Sequence, residues 1–169
     1  EKDSQSFCAK LAVMISVLML ILVMIATGSK RRAFQLLKLR PDLQIINIRG
    51  NVDTRLRKME EQQLDGIVLA AAGLKRLGME DVITQYLAPE DMISAPAQGA
   101  LALEVREDQK ELQKMLDVFC DEETMNEVCA ERNFLEQMGG SCHTPAGARC
   151  QKTDQGYELY AMFGNEDGN

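Results

Sequence analysis

The fold class follows from residues 43–72, which read LQIINIRGNVDTRLRKMEEQQLDGIVLAAA. Apolar runs occupy residues 43–48 and 66–72, and an amphipathic helical pattern with Asn51 as a plausible N-cap lies between them over residues 52–63. The second run has no polar alternation, so we expect a strand that is buried on both faces. The alternation of strand, helix and strand predicts a parallel sheet with covering helices.

The same alternation continues on both sides of this stretch. Upstream, we predict a strand over residues 23–26 and a helix over residues 30–39 that Ser29 caps. Downstream, a short helix over residues 74–77 is predicted to stop at Gly78. For the remainder we predict a strand over residues 100–106 (ALALEVR), helices over 108–119 and 124–138, a loop over 139–145, and a hairpin made by 146–151 and 157–163.

Composition limits the classes of protein. The chain has 169 residues, 46% hydrophobic and 27% charged, which suits one globular domain or two small ones. Its net charge of -7 argues against a nucleic-acid-binding protein. The charge is segregated, because residues 27–76 hold 11 basic and 5 acidic side chains whereas the rest holds 8 basic and 21 acidic. A basic segment in an acidic chain indicates an anionic ligand or a solvated helix face.

The first 26 residues have an uncertain status. Residues 11–26 are apolar apart from Ser16, and as a helix they would span about 24 Å, less than a bilayer core of about 30 Å. A signal or anchor segment and a buried strand over residues 23–26 both remain open, although a membrane association is not favoured. Because the chain begins with Glu1, we expect a fragment or a processed product.

Five cysteines and one histidine indicate free thiols. The odd count and the absence of a CxxC motif argue against a disulfide framework and a metal site, and we predict a cytoplasmic location. Cys120 and Cys129 lie in apolar helical patterns, where we expect them to be buried. Cys142 instead follows two glycines in a predicted loop, where it is either an incidental surface thiol or a covalent attachment point.

Basic side chains follow the predicted strand ends. Ligands of open parallel sheets bind beyond the carboxyl ends of the strands, where helix N-termini add N–H donors. Arginine is well suited to such a rim because its fork binds carboxylates in bidentate fashion. We therefore predict an anion site with several carboxylate-sized pockets, which is formed by Arg31, Arg32, Arg49 and Arg76, with Arg55 one turn into its helix.

Six ordered motifs resemble the porphobilinogen deaminase (hydroxymethylbilane synthase) family. They are TGSKRR at residues 27–32, LRPDL at 39–43, RGNVDTRL at 49–56, LAAAGLKRLG at 69–78, QGA at 98–100 and GGSC at 139–142. Within the first motif, Gly28 and Lys30 are mild departures from the family pattern. The resemblance runs in register from Thr27 to the C-terminus.

The resemblance implies an enzyme of tetrapyrrole (heme) biosynthesis. Family members are transferases that condense four porphobilinogens head to tail into hydroxymethylbilane and release ammonia at each step. They do so on a dipyrromethane primer joined by a thioether to the loop cysteine, here Cys142. The resemblance assigns cofactor contacts to Ser29, Arg31, Arg32, Arg49, Gly50 and Arg55, and substrate contacts to Arg31, Arg49, Arg55, Arg76, Gln98 and Gly99.

The resemblance also implies a fold and a domain division. We expect an α/β protein with a periplasmic-binding-protein-like parallel-sheet domain over residues 27–93 and a return segment of the first domain over 94–121. Part of a smaller α+β domain with the cofactor loop then covers 122–169. A complete protein of this family is expected to be monomeric.

One family motif is missing. The family's His-Ser-x-Lys-Asp stretch, whose aspartate stabilises the positive charge that develops during condensation, does not occur here, since the only histidine is His143. The catalytic residue is therefore unknown, and the charge-stabilising contribution it makes is often large. We expect this chain to be inactive by itself, and the alternative function is a non-catalytic carboxylate-binding module.

Overall fold

The computed structural model describes residues 22–139 and 144–164, which form two units. The first unit contains β1 (Met24–Ala26), α1 (Lys30–Leu39), β2 (Gln44–Ile46), α2 (Val52–Glu61), β3 (Gly66–Ile67) and α3 (Ala71–Arg76). Helix α4 (Lys110–Leu116) lies between the two units in the chain, and the second unit contains α5 (Glu122–Gln137), β4 (Ala146–Thr153) and β5 (Gly156–Phe163). Single 3₁₀ turns lie at Glu80–Val82 and Asp117–Phe119.

The first unit is the predicted parallel sheet. Strand β1 lies between β2 and β3 and runs parallel to both, with Ile25 opposite Ile45 on one side and Gly66 on the other. The predicted caps are also confirmed: the Ser29 hydroxyl accepts the Arg32 N–H at 3.4 Å, and the Asn51 side chain accepts from the helix it precedes. Each cap satisfies a backbone donor that the helix itself leaves unpaired.

One predicted strand is shorter and less buried than expected, and another does not form. The apolar run from residue 66 pairs only over Gly66–Ile67 and is only partly buried, because its partner β1 is three residues long. The Val68 N–H makes one further bond to the Ala26 carbonyl at 3.0 Å, and helix α3 then begins within the run. Residues 100–106 form no strand, and the Leu101 side chain is 91% exposed because no described strand pairs with this segment.

The second unit consists of a hairpin with a helix packed on it. Strands β4 and β5 are antiparallel and in register from Ala146 opposite Phe163 to Thr153 opposite Gly156. The hairpin prediction is thus confirmed, with β4 two residues longer than predicted. Helix α5 packs on β4, and the Lys152 N–H donates to the Glu127 carboxylate at 2.9 Å.

The predicted burial of two cysteines is wrong. Cys120 and Cys129 are exposed, whereas Cys150 is buried. Glu127 and Glu131 both contact β4, so they mark the face of α5 that packs on the hairpin. Cys129 lies two positions from each of them and therefore on the opposite face of the helix.

No helix within residues 22–139 and 144–164 is long and apolar enough to cross a membrane. The predicted apolar segment over residues 11–26 lies outside the described residues up to position 21, so its signal or anchor role stays a hypothesis. Its last residues form β1, as the strand alternative predicts.

A connecting segment joins the two units. This connector, residues 92–98, lies between α1 and β4, and its Ser94 carbonyl accepts the Ala148 N–H at 3.0 Å. The close approach requires Gly147, because a Cβ there would lie 2.9 Å from the Ser94 carbonyl oxygen and 3.2 Å from Arg31 Cδ. A side chain at position 147 would push the hairpin away from the connector.

We expect Gly147→Ala to destabilise the chain by about 1–3 kcal/mol, because the added methyl overpacks the contact between hairpin and connector. Gly73→Ala is the matched control: its Cβ would meet nothing closer than 3.9 Å in helix α3. That variant should gain about 0.5–1 kcal/mol from helix propensity. Urea unfolding measures both, and equal midpoints for the two variants would contradict the packing argument.

Candidate functional site

Arg31 is buried between the two units although it carries a charge. Its side chain lies in the first turn of α1, and the residue is 8% exposed. One terminal nitrogen donates to the Ile93 carbonyl, and the other donates to Gln98 Oε1 at 3.2 Å. The structure therefore brings together two residues that the sequence assigned to the site separately.

Arg32 is held at the end of β3. Its Nη1 donates to the Val68 carbonyl at 3.2 Å, just after Ile67, the last residue of that strand. The contact places the guanidinium at the carboxyl edge of the sheet, where the sequence predicted it. As for Arg31, the acceptors recorded among the described residues are neutral oxygens, so within that part of the chain its charge is uncompensated.

Arg55 lies against the turn between β2 and α2. Its Nε donates to the Gly50 carbonyl at 2.6 Å. Gly50 has φ +133°, and a Cβ there would meet Thr54 Cγ2 at 2.8 Å, so this turn requires glycine. Arg49 is exposed on the same turn, and its carbonyl accepts from Lys58 Nζ at 3.1 Å.

Burial and neighbouring positive charge lower the pKa values of two of these arginines. Burial, and then the charge of Arg32, lower the pKa of Arg31 to about 10. The pKa of Arg32 is lowered by burial and then by the charge of Arg55. A lowered pKa is the expected direction for a cation that is desolvated beside like charges. We call Arg31, Arg32 and Arg55 the arginine cluster.

No carboxylate of the described residues forms an ion pair with the arginine cluster. The first turn of α1 contains no acidic residue and begins Lys30-Arg31-Arg32. Cations at a helix N-terminus oppose the helix dipole, which favours anions there. The cluster thus combines desolvation, mutual repulsion and an unfavourable dipole, all of which a bound anion would relieve.

Other predicted site residues are placed differently. Arg76 is the exposed last residue of α3, and the described structure records no hydrogen bond or ion pair between it and the cluster. Gly99, which directly follows the connector, is exposed and has φ +98°. Ser29 caps α1, and Cys142 lies outside the described residues.

Sequence reasoning missed two buried polar residues, Gln35 and Glu131. Gln35 Oε1 accepts the Ile93 N–H at 2.7 Å, and its Nε2 donates to the Ile93 carbonyl at 3.1 Å. It follows Arg31 by four positions and so lies on the same face of α1, which is a signal that the sequence did contain. Glu131 gave no comparable signal because its partners are distant in the chain.

The arrangement is suited to binding carboxylates. Forked guanidinium groups at the edge of a sheet can each donate two hydrogen bonds to one carboxylate. Two capped helix N-termini lie beside them. Among the residues that the structure describes, no group of three or more His, Cys, Asp and Glu could hold a metal ion.

Comparison with protein families agrees with this chemistry. Residues 19–114 match the family model described as "Porphobilinogen deaminase, dipyromethane cofactor binding domain". Residues 125–169 match the model described as "Porphobilinogen deaminase, C-terminal domain". The first match alone covers more than half of the chain.

Curated relatives agree with the family models. The chain is 52% identical over 146 residues to a porphobilinogen deaminase of Lachnospira eligens, a match that covers 85% of this chain and 50% of the relative. It is 46% identical over 144 residues to the same enzyme of Clostridioides difficile, covering 85% and 48%. The chain thus spans about half the length of the curated relatives it matches. These matches show that the chain belongs to the porphobilinogen deaminase family.

Proposed function

We propose that this chain supplies the part of a porphobilinogen deaminase that holds the dipyrromethane cofactor and the growing pyrrole chain. The enzyme would join four porphobilinogens into hydroxymethylbilane with release of ammonia. The observation that carries the proposal is the arginine cluster, whose charge no described carboxylate balances. Each pyrrole carries an acetate and a propionate, so a chain of pyrroles presents the anions that such a cluster requires.

The residues present fit a polycarboxylate cofactor. Hydrogen bonds to backbone and amide oxygens hold Arg31, Arg32 and Arg55 in place and leave further N–H donors on each guanidinium for a ligand. When bound, the dipyrromethane supplies the pyrrole that is extended. The chain's own side chains orient it by its carboxylates.

We propose the following contacts with cofactor and substrate. Arg31 is proposed to bind the cofactor and substrate at the junction with the connector, where Gln98 orients it. Arg32 and Arg55 bind further carboxylates along the sheet edge. We assign supporting contacts with cofactor or substrate to Ser29, Arg49, Gly50, Arg76, Gln98 and Gly99.

Cofactor attachment can be assigned to a residue of this chain, whereas the catalytic aspartate cannot. We propose that Cys142 carries the cofactor through a thioether, because it follows the GGS of the family motif. The catalytic aspartate has no assigned position, since the His-Ser-x-Lys-Asp stretch does not occur in the sequence. Ligand binding is therefore the role that we assign to the described residues, and cofactor attachment is the role that we assign to Cys142.

The other proposals concern architecture and setting. The parallel order β2-β1-β3 supports a periplasmic-binding-protein-like first unit, and the hairpin with α5 supports a separate smaller domain over residues 122–169.

Free thiols at Cys120, Cys129 and Cys150 support a reducing, cytoplasmic location. A monomeric state of the complete protein remains a proposal. The alternative of a non-catalytic binding module gains no support from the relatives, which carry the enzyme's name.

Removing one guanidinium from the cluster should weaken ligand binding. Arg31→Ala and Arg32→Ala should each cost roughly 1.5–3 kcal/mol in porphobilinogen binding, or about 10–150-fold in Kd, because a charged hydrogen bond is lost. Calorimetric titration of the chain measures this loss.

The control for this titration is Arg57→Ala, since Arg57 is exposed and contacts only Glu61 at 3.7 Å among the residues described. Its Kd should match that of the parent chain. If all three variants bound as tightly as the parent, the arginine cluster would not be the binding site.

Anions should stabilise the chain through the same cluster. We expect Arg32→Gln to unfold within about 1 kcal/mol of the parent in buffer without a carboxylate ligand, because relief of repulsion offsets the lost hydrogen bond. Added porphobilinogen should raise the Tm of the parent more than that of the variant. Equal ligand-induced shifts in thermal unfolding would count against the cluster as the anion site.

Cys142→Ser should abolish covalent attachment of the pyrrole primer. The chain is co-expressed with the half of a curated relative that its match leaves out, and intact mass is measured after exposure to porphobilinogen. Cys120→Ser and Cys129→Ser remove exposed thiols and should keep the adduct. An unchanged adduct in Cys142→Ser would refute the assignment.

A further inference from the structure

Glu131 is a buried carboxylate that joins two distant segments. It lies on α5 and is 7% exposed. Its Oε2 accepts the Ala97 N–H at 2.6 Å, and its Oε1 accepts the Cys150 N–H at 2.7 Å. Both oxygens are thus used by backbone donors, one on the connector and one on β4. Hydrogen bonds to a charged acceptor are about twice as strong as neutral ones.

On the connector side, the bond adjoins the contact that holds Arg31. Ala97 has φ +60°, a conformation that is unfavourable for a residue with a side chain, and the bond from its N–H helps to hold it. The next residue is Gln98, whose Oε1 accepts both from Arg31 Nη2 at 3.2 Å and from the Ala95 N–H at 3.3 Å. One peptide unit therefore separates the Glu131 bond from the side chain that orients Arg31.

On the hairpin side, the bond fixes the elements that flank Cys142. Helix α5 ends at Gln137 and β4 begins at Ala146, so the proposed attachment residue lies between the helix that bears Glu131 and the strand that Glu131 contacts. The carboxylate consequently ties both elements to the connector.

Glu127 provides an internal comparison. It lies one turn earlier on α5, and its Oε1 accepts the Lys152 N–H of β4 at 2.9 Å. It thus makes the same kind of bond between helix and hairpin, but the described structure records no bond between it and the connector. The hydrogen bond to Ala97 is therefore the contact that Glu131 makes and Glu127 does not.

We propose that Glu131 is a positioning residue that sets Gln98, and through it Arg31, relative to helix α5 and strand β4. The inference rests on the proposed function, because it concerns how one arginine of that site is oriented. Glu131 acts through the connector backbone and has no direct contact with the ligand.

The test is calorimetric titration of the chain with porphobilinogen. Glu131→Gln should weaken binding by roughly fivefold or more, because the amide nitrogen that replaces one oxygen cannot accept an N–H bond. Glu127→Gln should change Kd less than about twofold, since it leaves the connector intact. In an Arg31→Ala background, Glu131→Gln should have no further effect on Kd, as expected of a residue that acts through Arg31.

The outcomes separate the two proposals. Suppose that the parent binds tightly, that Arg31→Ala weakens binding and that Glu131→Gln does not. This result would overturn the positioning role alone. An equal loss from Glu131→Gln with and without Arg31 would also overturn it, because a merely structural role is independent of that arginine. A parent chain that binds no porphobilinogen would contradict the proposed function and the inference with it.

Amide hydrogen exchange covers the case in which Glu131→Gln fails to fold. In the parent chain, porphobilinogen bound at Arg31 should slow exchange at the Ala97 and Cys150 amides, because coupling between the two sites is reciprocal. Exchange at the Lys152 amide, which Glu127 holds, should not change. Unaltered protection at Ala97 and Cys150 on ligand binding would overturn the inference.

Discussion

The guanidinium of Arg31 joins the parallel sheet to the connector through the Ile93 carbonyl and the Gln98 side chain. A buried cation is costly unless its donors are bonded, and here neutral oxygens supply those bonds. They satisfy the hydrogen-bonding geometry and leave the charge uncompensated. The same contact therefore orders the junction between the units and, under the proposed function, leaves a charge there that an anion would balance. Gln35, one turn along α1, reinforces it by bonding to both backbone groups of Ile93.

Polar contacts matter here because the described apolar core is small. The buried hydrophobic residues are mostly short, and among the described residues no large side chain is fully buried. Their dispersion and hydrophobic contributions are correspondingly modest. Close backbone approach at Gly147 and hydrogen bonds accepted by the Ser94 carbonyl and the Glu131 carboxylate hold the connector against the second unit. We therefore expect loss of one such bond to affect the arginine cluster as well as stability.

The segment after the connector has the opposite character. Leu101, Leu103 and Phe119 are 91%, 64% and 74% exposed, so their apolar side chains contribute little to the described core. The alternation in ALALEVR is that of a strand, yet a strand forms only where a neighbour supplies hydrogen bonds. This explains how a sound local pattern predicted a strand that the described structure does not contain.

The sequence by itself determined the features that depend on near neighbours. The N-caps at Ser29 and Asn51, the start of α1 at Lys30 and the hairpin of β4 and β5 follow from residues a few positions apart. The ordered motifs were sufficient to identify the family, and the matches to family models and relatives confirm it. These patterns involve residues that are close in the sequence, so they can be recognised without knowledge of the tertiary structure.

Only the tertiary structure decided which residues converge. It brought Arg31 to Gln98 and Ile93, and it placed Glu131 in contact with both the connector and β4. It also ended β3 after two residues, because the length of a strand depends on its partner. Such contacts join residues that are tens of positions apart in the sequence. The local sequence pattern carries no information about them, because the energy of each bond depends on packing that the whole chain creates.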